Sequence, residues 1–419
     1  MGFTIAQKVL ARAAGDTDVE VGQIVSARVD RAMSHENAKL VSKVFRELGV
    51  KEVWDPERIV LLFDHRIPAN NIKTATAHKD VREFIAEMDL PHFLGEREGI
   101  CHQVMVEMGF VGPGDLVVGT DSHTTTYGAL GALSTGIGAT EMAGVWAMGE
   151  LWLRVPESIR VEVHGAFHKR VGPKDLVLKF IGDVGADGAD YASIEWAGSA
   201  VEAMEVPGRM TICNMSMEAG AKAGIVAPDD RTIEYLRGRV DPPYPNLVYP
   251  DSDCAYASEH HYSASELEPM VAAPHTVDNV KPVKEVEGLT INQAVLGSCT
   301  NGRVTDLQAA ARVLGGEPVA RGVRLLVIPA SRRELLAAMK LGLIEQFVRA
   351  GAIVLNPGCG PCLGAHQGIM AAGERAIAST NRNFKGRMGS PDSEVYLASP
   401  ETVAASAITG TITDPRGVV

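Results

Sequence analysis

The stretch Ala294–Cys299 reads AVLGSC, an apolar run that ends abruptly in glycine, serine and cysteine. Short apolar runs bounded by turn residues are typical of buried strands in a parallel sheet. A helix is predicted next, because apolar residues recur at helical spacing over Val304–Leu314 and a glycine pair, Gly315 and Gly316, then ends the pattern. Residues 294–316 are therefore predicted to form a strand, a turn that carries reactive side chains, and a helix.

Three further apolar runs end in the same abrupt way. They are Ile59–Phe63, followed by Asp64 and His65; Leu116–Val118, followed by Gly119–His123; and Ile353–Leu355, followed by Asn356–Cys359. Val323–Ile328 predicts one more strand, and Ser331 with Glu334 predicts a capping box that starts a further helix. Functional sites of α/β folds lie beyond the carboxyl ends of parallel strands, so we expect all four clusters to share one site.

The pattern as a whole predicts an α/β protein with several parallel sheets covered by helices. Its 419 residues correspond to roughly two or three domains. We place the boundaries near 128 and 285, which gives segments 1–128, 129–284 and 285–419. Stretches rich in turn-forming residues, 238–262 and 274–286, are expected to be loops or connections.

Composition excludes several functional classes. The formal net charge of -12 argues against a nucleic-acid surface, although a single pocket can still be locally positive and bind an anion. No apolar run approaches the roughly 20 residues that a membrane span requires. No targeting segment is visible at the N-terminus, so we expect a cytoplasmic protein without a membrane contact.

Three of the six cysteines form a candidate metal site. Cys359 and Cys362, in the tetrapeptide CGPC, can share one centre with Cys299, and three thiolates suit iron or zinc. On a four-iron cluster, three ligands would leave one iron open for substrate. A redox dithiol and a structural zinc completed by His366 are the competing interpretations. A helix is expected after Cys362, with its N-terminus towards the site. The other cysteines, Cys101, Cys213 and Cys254, are expected to be buried thiols.

Acid–base groups accompany the cysteines. The pair Asp64-His65, the cluster Asp121-Ser122-His123 and His102 supply the imidazoles and carboxylates that orient a metal-bound water and transfer protons near neutral pH.

Substrate-binding groups are predicted in two further segments. Asn214 and Glu218 lie four residues apart and would share one face of a helix. The loop Asn381–Arg387 contains Arg382 and Arg387, which we interpret as an anion clamp. The glycine-rich stretch Gly128–Gly138 lacks a nucleotide-binding spacing and is interpreted as a close-packed turn.

At these residues the sequence resembles the aconitase superfamily. The resemblance runs from about residue 20 to the end and is most specific to the branch of 3-isopropylmalate dehydratase and homoaconitase large subunits. The segments that carry it are Asp64-His65, Gly119–Thr126, Thr211–Glu218, Gly297–Arg303, Pro357–Cys362 and Asn381–Arg387.

The resemblance implies three α/β/α domains around a 4Fe–4S cluster and a hydro-lyase that isomerises 2-isopropylmalate and 3-isopropylmalate in leucine biosynthesis. It implies cluster ligands at Cys299, Cys359 and Cys362. The implied catalytic residues are Asp64, His65, His102, Asp121, His123 and Glu218. The implied substrate-binding residues are His35, Ser122, Asn214, Asn381, Arg382 and Arg387.

A partner chain is also implied by this resemblance. Single-chain members carry a swivelling domain with the base serine, and this sequence ends at Thr413–Arg416, where the large subunit of split enzymes ends. We therefore expect a small subunit, in a heterodimer or heterotetramer that acts on a small di- or tricarboxylate. The alternatives are homoaconitate hydratase, citraconate or dimethylmaleate hydratase and, from another class, an iron-regulated RNA-binding protein.

Overall fold

The computed structural model describes residues 2–240, 244 and 246–418, and its first part builds a five-stranded parallel sheet. The strands are β1 (Ile24–Arg28), β2 (Arg31–Ser34), β3 (Ile59–Leu62), β4 (His92–Leu94), β5 (Leu116–Gly119), β6 (Leu133–Gly136) and β7 (Glu150–Arg154). The helices are α1 (Ile5–Ala14), α2 (Ala38–Glu47), α3 (Ile72–Glu87), α4 (Cys101–Glu107) and α5 (Ala139–Met148). The sheet order is β4-β3-β2-β5-β6, and β1 pairs with β7 in a separate antiparallel ribbon.

The middle of the chain builds a four-stranded parallel sheet in the order β10-β9-β8-β11. The strands are β8 (Ser158–His164), β9 (Ser193–Ala197), β10 (Ala223–Val226) and β11 (Ser258–Ser263). The helices are α6 (Pro173–Val184), α7 (Ser199–Ala203), α8 (Val206–Ser216) and α9 (Asp230–Leu236).

The last part builds a seven-stranded sheet in the order β13-β12-β18-β17-β14-β15-β16, in which only β12 runs antiparallel to its neighbours. The strands are β12 (Met270–Ala272), β13 (Val280–Pro282), β14 (Gln293–Gly297), β15 (Arg324–Ile328), β16 (Ile353–Val354), β17 (Arg375–Ala378) and β18 (Glu394–Leu397). The helices are α10 (Ser298–Asn301), α11 (Val304–Leu314), α12 (Arg332–Lys340), α13 (Leu343–Arg349) and α14 (Pro400–Thr409).

Short 3-10 helices complete the fold. They lie at Pro56–Arg58, Ser122–Leu130, Met217–Ala219, Val283–Glu285, Gly360–Leu363 and Pro415–Gly417. Of the described helices, none combines the length and the apolar character that crossing a membrane requires.

The predicted α/β class with mostly parallel sheets is confirmed. The four apolar runs form β3, β5, β14 and β16, and the first three are buried along their whole length. The prediction of a buried strand is wrong for β16, because β16 is the edge strand of its sheet and Ile353 is exposed.

The helix α11 begins and ends as predicted, with Gly315 in the left-handed conformation at its C-cap. The predicted capping box of α12 is only half formed. The Ser331 hydroxyl accepts the backbone N–H of Glu334. The Glu334 carboxylate instead accepts the N–H of Val304 at 2.6 Å and so ties α11 to α12.

Residues 364–374 form no helix, so the prediction of a helix after Cys362 is wrong. The chain forms one 3-10 turn, Gly360–Leu363, and then leaves it at Gly364 with φ +68°. A left-handed glycine at this position ends a helical turn rather than extending it.

The pairing of the strands does not fit the predicted domain boundaries near 128 and 285. β6 pairs with β5, so the first sheet continues past residue 128, which lies inside the 3-10 helix Ser122–Leu130. The chain changes sheet between β7 and β8 and again between β11 and β12. We therefore propose three domains with boundaries near 155 and 265 rather than 128 and 285. Residues 241–243 and 245 of the predicted loop 238–262 lie outside the described residues, and 258–262 belong to β11.

Candidate active site

One cavity lies where the carboxyl ends of strands from the first and third sheets meet. Its volume is about 20 Å³. Its lining consists of Asp64, His65, Ile100, His102, Asp121, His123, Ser298, Cys299, Cys359, Cys362, Leu363, Asn381 and Arg387. The structure thus brings together the four strand-end clusters that the sequence placed at one site.

The turn that carries Cys299 depends on two unusual backbone conformations. Gly297 has φ +136°, and a Cβ there would lie 2.1 Å from the carbonyl oxygen of Ile328. Ser298 has φ +68°, which is uncommon for a residue with a side chain. The sharp turn directs Cys299 from the end of β14 into the cavity. Across the cavity, the N–H of Cys359 donates to the carbonyl of Asp64 at 3.1 Å and joins the two walls.

The surroundings of the three thiols fit an iron–sulfur cluster. The amide nitrogens of Asn214 and Asn381 lie 3.3 and 3.2 Å from Cys299 Sγ. Hydrogen bonds of this kind stabilise thiolate ligands and tune cluster potential. The Ser298 hydroxyl is buried and lacks a hydrogen-bond partner among the described residues. Such an orphaned polar atom on a cavity wall points to a polar occupant.

Burial makes the free thiols weak acids. It raises the pKa of Cys299 to about 11 and that of Cys359 well above its ordinary value. Thiols in this state are protonated at neutral pH, so binding a metal centre requires them to release protons.

The competing metal interpretations fit less well. Among the described residues, one group of three or more metal-ligating side chains has its ligand atoms all within 4.8 Å of one another, and it contains no cysteine; its members are His35, Glu36, Asp64 and His65. A single ion would need such close spacing. His366, which a zinc site would need, instead hydrogen-bonds the carbonyl of Ile67 at 2.5 Å and does not line the cavity.

The redox interpretation also lacks its usual support. Low-pKa dithiols of the CXXC type lie at the N-terminus of a helix, whose backbone N–H groups stabilise the thiolate. Cys359 and Cys362 instead lie on a four-residue 3-10 turn, and both are buried.

Three imidazole–carboxylate pairs form the acid–base part of the site. His65 Nδ1 is 2.6 Å from Asp64 Oδ1. His102 Nε2 is 2.8 Å from Asp121 Oδ1. The third pair joins His123 Nε2 to Glu218 Oε1 at 2.7 Å.

An ion pair joins two of these pairs, because His65 Nε2 is 3.5 Å from Asp121 Oδ2. Burial alone would lower the pKa of His65, but Asp64, with Cys359 and Asp121, raises it well above its ordinary value. Burial would raise the pKa of Asp121, but hydrogen bonds from three histidines hold it well below its ordinary value. Burial lowers the pKa of His102. These contacts favour the protonated form of His65.

The two predicted arginines occupy different positions. Arg382 does not line the cavity, and its Nε is 2.7 Å from Glu218 Oε1, behind the His123 pair. Arg387 lines the cavity, and its Nε has no hydrogen-bond partner among the described residues. Arg387 is thus the arginine that is free to meet an anion.

His35 and Ser122, like Arg382, Asn214 and Glu218, are predicted site residues that do not line the cavity. Ser122 borders a neighbouring surface cavity. His35 lines a cleft of about 1070 Å³ that shares His65, Asp121 and Leu363 with the active-site cavity. The cleft is the open approach to the site. Its lining also contains four basic side chains, Lys39, Lys43, Arg66 and Lys73.

The sequence analysis missed the role of Glu36. Its Oε1 accepts three successive backbone N–H groups, from Asp64, His65 and Arg66, at 3.2, 2.9 and 2.8 Å. Hydrogen bonds from His35 and His65 hold the pKa of this carboxyl well below its ordinary value although burial opposes them. The signal was available, since Glu36 follows the end of β2, which is the neighbour of β3.

Comparison with known proteins gives this site its class. Buried cysteines with amide donors and three imidazole–carboxylate pairs define an iron–sulfur hydro-lyase centre. The sequence matches the aconitase family (aconitate hydratase) over residues 7–410. The chain belongs to the aconitase family, and the predicted hydro-lyase class and 4Fe–4S cofactor are confirmed.

Curated relatives match along nearly the whole chain. It is 53% identical to the 3-isopropylmalate dehydratase large subunit 1 of Methanopyrus kandleri, with 99% of each chain covered. It is 52% identical to a probable methanogen homoaconitase large subunit of Methanothermobacter thermautotrophicus, with 99% of this chain and 98% of the relative covered. The fold resembles the holo crystal structure of Thermococcus kodakaraensis aconitase X, with a TM-score of 0.54 at 13% identity, 96% of this chain and 95% of that one.

Proposed function

We propose that this chain is the large subunit of an enzyme that interconverts 2-isopropylmalate and 3-isopropylmalate by dehydration and rehydration, a step of leucine biosynthesis. The observation that carries the proposal is one cavity lined by three cysteines, three histidines that each pair with a carboxylate, and an arginine whose Nε has no hydrogen-bond partner among the described residues. Relatives named for this enzyme in Methanopyrus kandleri and Methanoregula boonei are 53% and 50% identical over essentially their full length, which supports this substrate.

The charge around the cavity supports an anionic substrate. Four basic side chains line the approach cleft of a chain whose net charge is -12. Lys39 pairs with Asp80 and Lys43 pairs with Glu47. Arg66 and Lys73 have no ion pair among the described residues, and unpaired positive charge at a cleft attracts carboxylates. At the inner end, Arg387 can bind one carboxylate through two parallel N–H groups. We assign the same substrate to the loop residues Asn381 and Arg382, with Arg382 acting through Glu218.

The cluster, when held by Cys299, Cys359 and Cys362, supplies a Lewis acid that polarises the C–O bond of the substrate. The protein supplies the proton. His65 Nδ1 donates to Asp64, and the raised pKa keeps Nε2 protonated and ready to donate to the departing hydroxyl.

The remaining residues hold this geometry. His102 and His123, each fixed by a carboxylate, orient the hydroxyl or water that leaves and returns. Asn214 supports Cys299, and His35 borders the approach cleft. We assign Ser122 a supporting role through His123, since its hydroxyl is 3.5 Å from His123 Nδ1. Rehydration at the adjacent carbon uses the same groups in reverse.

We further propose a small-subunit partner that provides the base for the adjacent C–H proton, in a heterodimer or heterotetramer. The relatives matched over their full length are themselves named large subunits. Six free cysteines fit a reducing compartment, and we place the enzyme in the cytoplasm.

A second candidate substrate is homoaconitate, because a relative named as a homoaconitase large subunit is 52% identical, nearly as much as the first. The test is the kinetics of the chain co-expressed anaerobically with a small subunit from the same organism. We expect kcat/KM for 3-isopropylmalate to exceed that for homoaconitate by at least about tenfold, which corresponds to about 1.4 kcal/mol. The reverse ratio would contradict the proposed substrate.

Two variants serve as controls in that experiment. Arg387→Lys keeps the charge but loses the fork that binds a carboxylate, so KM should rise while the cluster absorption stays. Cys299→Ser should lose both cluster absorption and activity. Retention of both by Cys299→Ser would refute the cluster assignment.

A further inference from the structure

Arg303 is a buried guanidinium that the proposed chemistry does not use. It follows α10, which carries Cys299, and serves as the N-cap residue of α11. Its exposed fraction is 1%. Fully burying a guanidinium is unfavourable unless its five N–H donors find partners, so its contacts indicate what it does there.

The N–H groups of Arg303 donate hydrogen bonds to the turn that carries Cys299. Arg303 Nη2 donates to the carbonyl of Cys299, and Nη1 donates to the carbonyl of Thr300, both at 2.8 Å. These carbonyls belong to the four-residue helix α10, which is too short to satisfy them internally. The guanidinium therefore supplies the hydrogen bonds that hold this turn closed.

The third side of the guanidinium reaches the acid–base part of the site. Arg303 Nε donates to Gln103 Oε1 at 2.9 Å, and Gln103 directly follows His102 on α4. Gln103 in turn donates to Glu107 at 2.8 Å, and Glu107 accepts from Ser331 at the start of α12. One planar group thus connects the Cys299 turn to the helix of His102.

The connection extends to α8 at its far end. Arg303 Nη1 is 3.5 Å from the carbonyl of Pro207. The same helix carries Asn214, whose amide touches Cys299 Sγ. The three elements that surround Cys299 therefore meet at one buried cation, which also places a positive charge beside the thiolates.

We propose that Arg303 is a positioning residue, which fixes the Cys299 turn against the helices of His102 and Asn214 so that ligand and acid–base groups keep one geometry. This inference rests on the proposed role of Cys299 as a cluster ligand. Groups that support metal ligands in this way typically change metal affinity or activity by about 10–100-fold when they are replaced.

The test compares Arg303→Met and Arg303→Lys with Arg209→Met. Arg209 is an equally buried arginine, 0% exposed, that pairs with Asp229 at the start of α9 and does not contact the site. Both methionine variants should lower the melting temperature of the chain. Only the Arg303 variants should lose the cluster absorption in air about tenfold faster and show an altered EPR signal of the oxidised cluster. Arg303→Lys should recover part of the cluster lifetime, since it keeps the charge but not the fork.

A cluster lifetime of Arg303→Met equal to that of Arg209→Met would overturn the inference. If Arg303→Met does not fold, Arg303→Lys and Gln103→Leu still decide it. Gln103→Leu leaves the hydrogen bonds from Arg303 to the carbonyls of Cys299 and Thr300 in place, so the cluster lifetime should stay within about twofold of wild type. The kcat of the assembled enzyme should fall about tenfold at constant KM, because His102 is no longer tied to the Cys299 turn. An unchanged kcat would also overturn it. Should the wild-type chain bind no iron and sulfide at all, the proposed function fails instead, and the two failures are distinguishable.

Discussion

At the scale of single residues, the site depends on carboxylates that hold backbone or imidazole groups in place. Glu36 collects three successive N–H groups at the end of β3, and Asp121 accepts from His102 and from the backbone of His123. A carboxylate that accepts several N–H bonds is a strong and directional support. The reactive imidazoles are therefore fixed before any substrate arrives.

Glu36 gives the first prediction. Glu36→Ala removes the acceptor of three backbone N–H groups and should lower kcat by about tenfold or more, because the turn of Asp64 and His65 loosens. Glu36→Gln keeps one carbonyl oxygen, so its kcat should lie between those of Glu36→Ala and the wild type. Steady-state kinetics of the assembled enzyme measures both, with exposed Glu57→Gln as control. An Ala variant within twofold of wild-type kcat would contradict this role.

Asp115 gives a prediction on pH. Burial, with the nearby carboxylate of Asp30, raises the pKa of Asp115 to about 6, while its ordinary value is 3.8. The folded chain then binds this proton more tightly than the unfolded chain. The stabilisation is fully present below pH 3.8 and is lost as pH rises through about 6.

The variant Asp115→Asn removes that titration and keeps an oxygen for the N–H of Gly112. Its unfolding midpoint in urea, relative to wild type, should therefore rise between pH 4 and pH 7. Thr17→Ala, at an exposed side chain that does not titrate, should show a constant difference over the same range. A constant difference for Asp115→Asn as well would show that burial does not perturb this group.

At the scale of elements, strand ends and tight turns bring the groups together. The 3-10 helix Ser122–Leu130 lies against β10 so closely that a Cβ on Gly128 would be 1.8 Å from the carbonyl oxygen of Gly224. This contact confirms close packing at Gly128, but the prediction of a turn over Gly128–Gly138 is wrong in part, because the stretch contains the strand β6. The contact also fixes the 3-10 helix that begins with Ser122 and His123.

Two glycine variants test this packing with opposite signs. Gly128→Ala should lower stability by about 1–3 kcal/mol or more, because backbone must move to admit the methyl group. Gly144→Ala, in the interior of α5, meets nothing closer than 4.0 Å and should raise stability by about 0.5–1 kcal/mol. Urea unfolding midpoints measure both. Equal effects of the two variants would contradict the packing argument.

The sequence predicted those elements whose residues carry their own signal. Apolar runs and their abrupt ends located β3, β5 and β14, and spaced apolar residues located α11. The edge position of β16 was not predictable, because the number of strands beside it depends on the whole sheet. The turn after Cys362 was mistaken for a helix start, since only the backbone shows that Gly364 is left-handed.

The sequence predicted which residues belong to the site but not the role of each residue. Motif residues identified Cys299 and the histidines, but spacing could not show that Arg382 is held by Glu218 while Arg387 is free. Nor could it show that Arg303 and Glu36 support the site, because both act through backbone groups whose partners are distant in sequence.

At the scale of the whole molecule, the three parts of the chain that build the three sheets all contribute residues to one cavity or to its support. The first supplies the three imidazoles and the third supplies the cysteines. In the middle segment, α8 supplies Asn214, and the 3-10 helix Met217–Ala219 supplies Glu218, which pairs with His123. The approach cleft is basic on a chain that is acidic overall.

The most direct test of the central claim is the Mössbauer spectrum of the chain reconstituted anaerobically with 57Fe and sulfide, together with its small subunit. We predict about four iron and four sulfide per chain, with about one iron in four changing its isomer shift when 3-isopropylmalate is added. Cys299→Ser should lose this signal. A spectrum of one iron per chain, or of four irons that are all unchanged by substrate, would contradict the account.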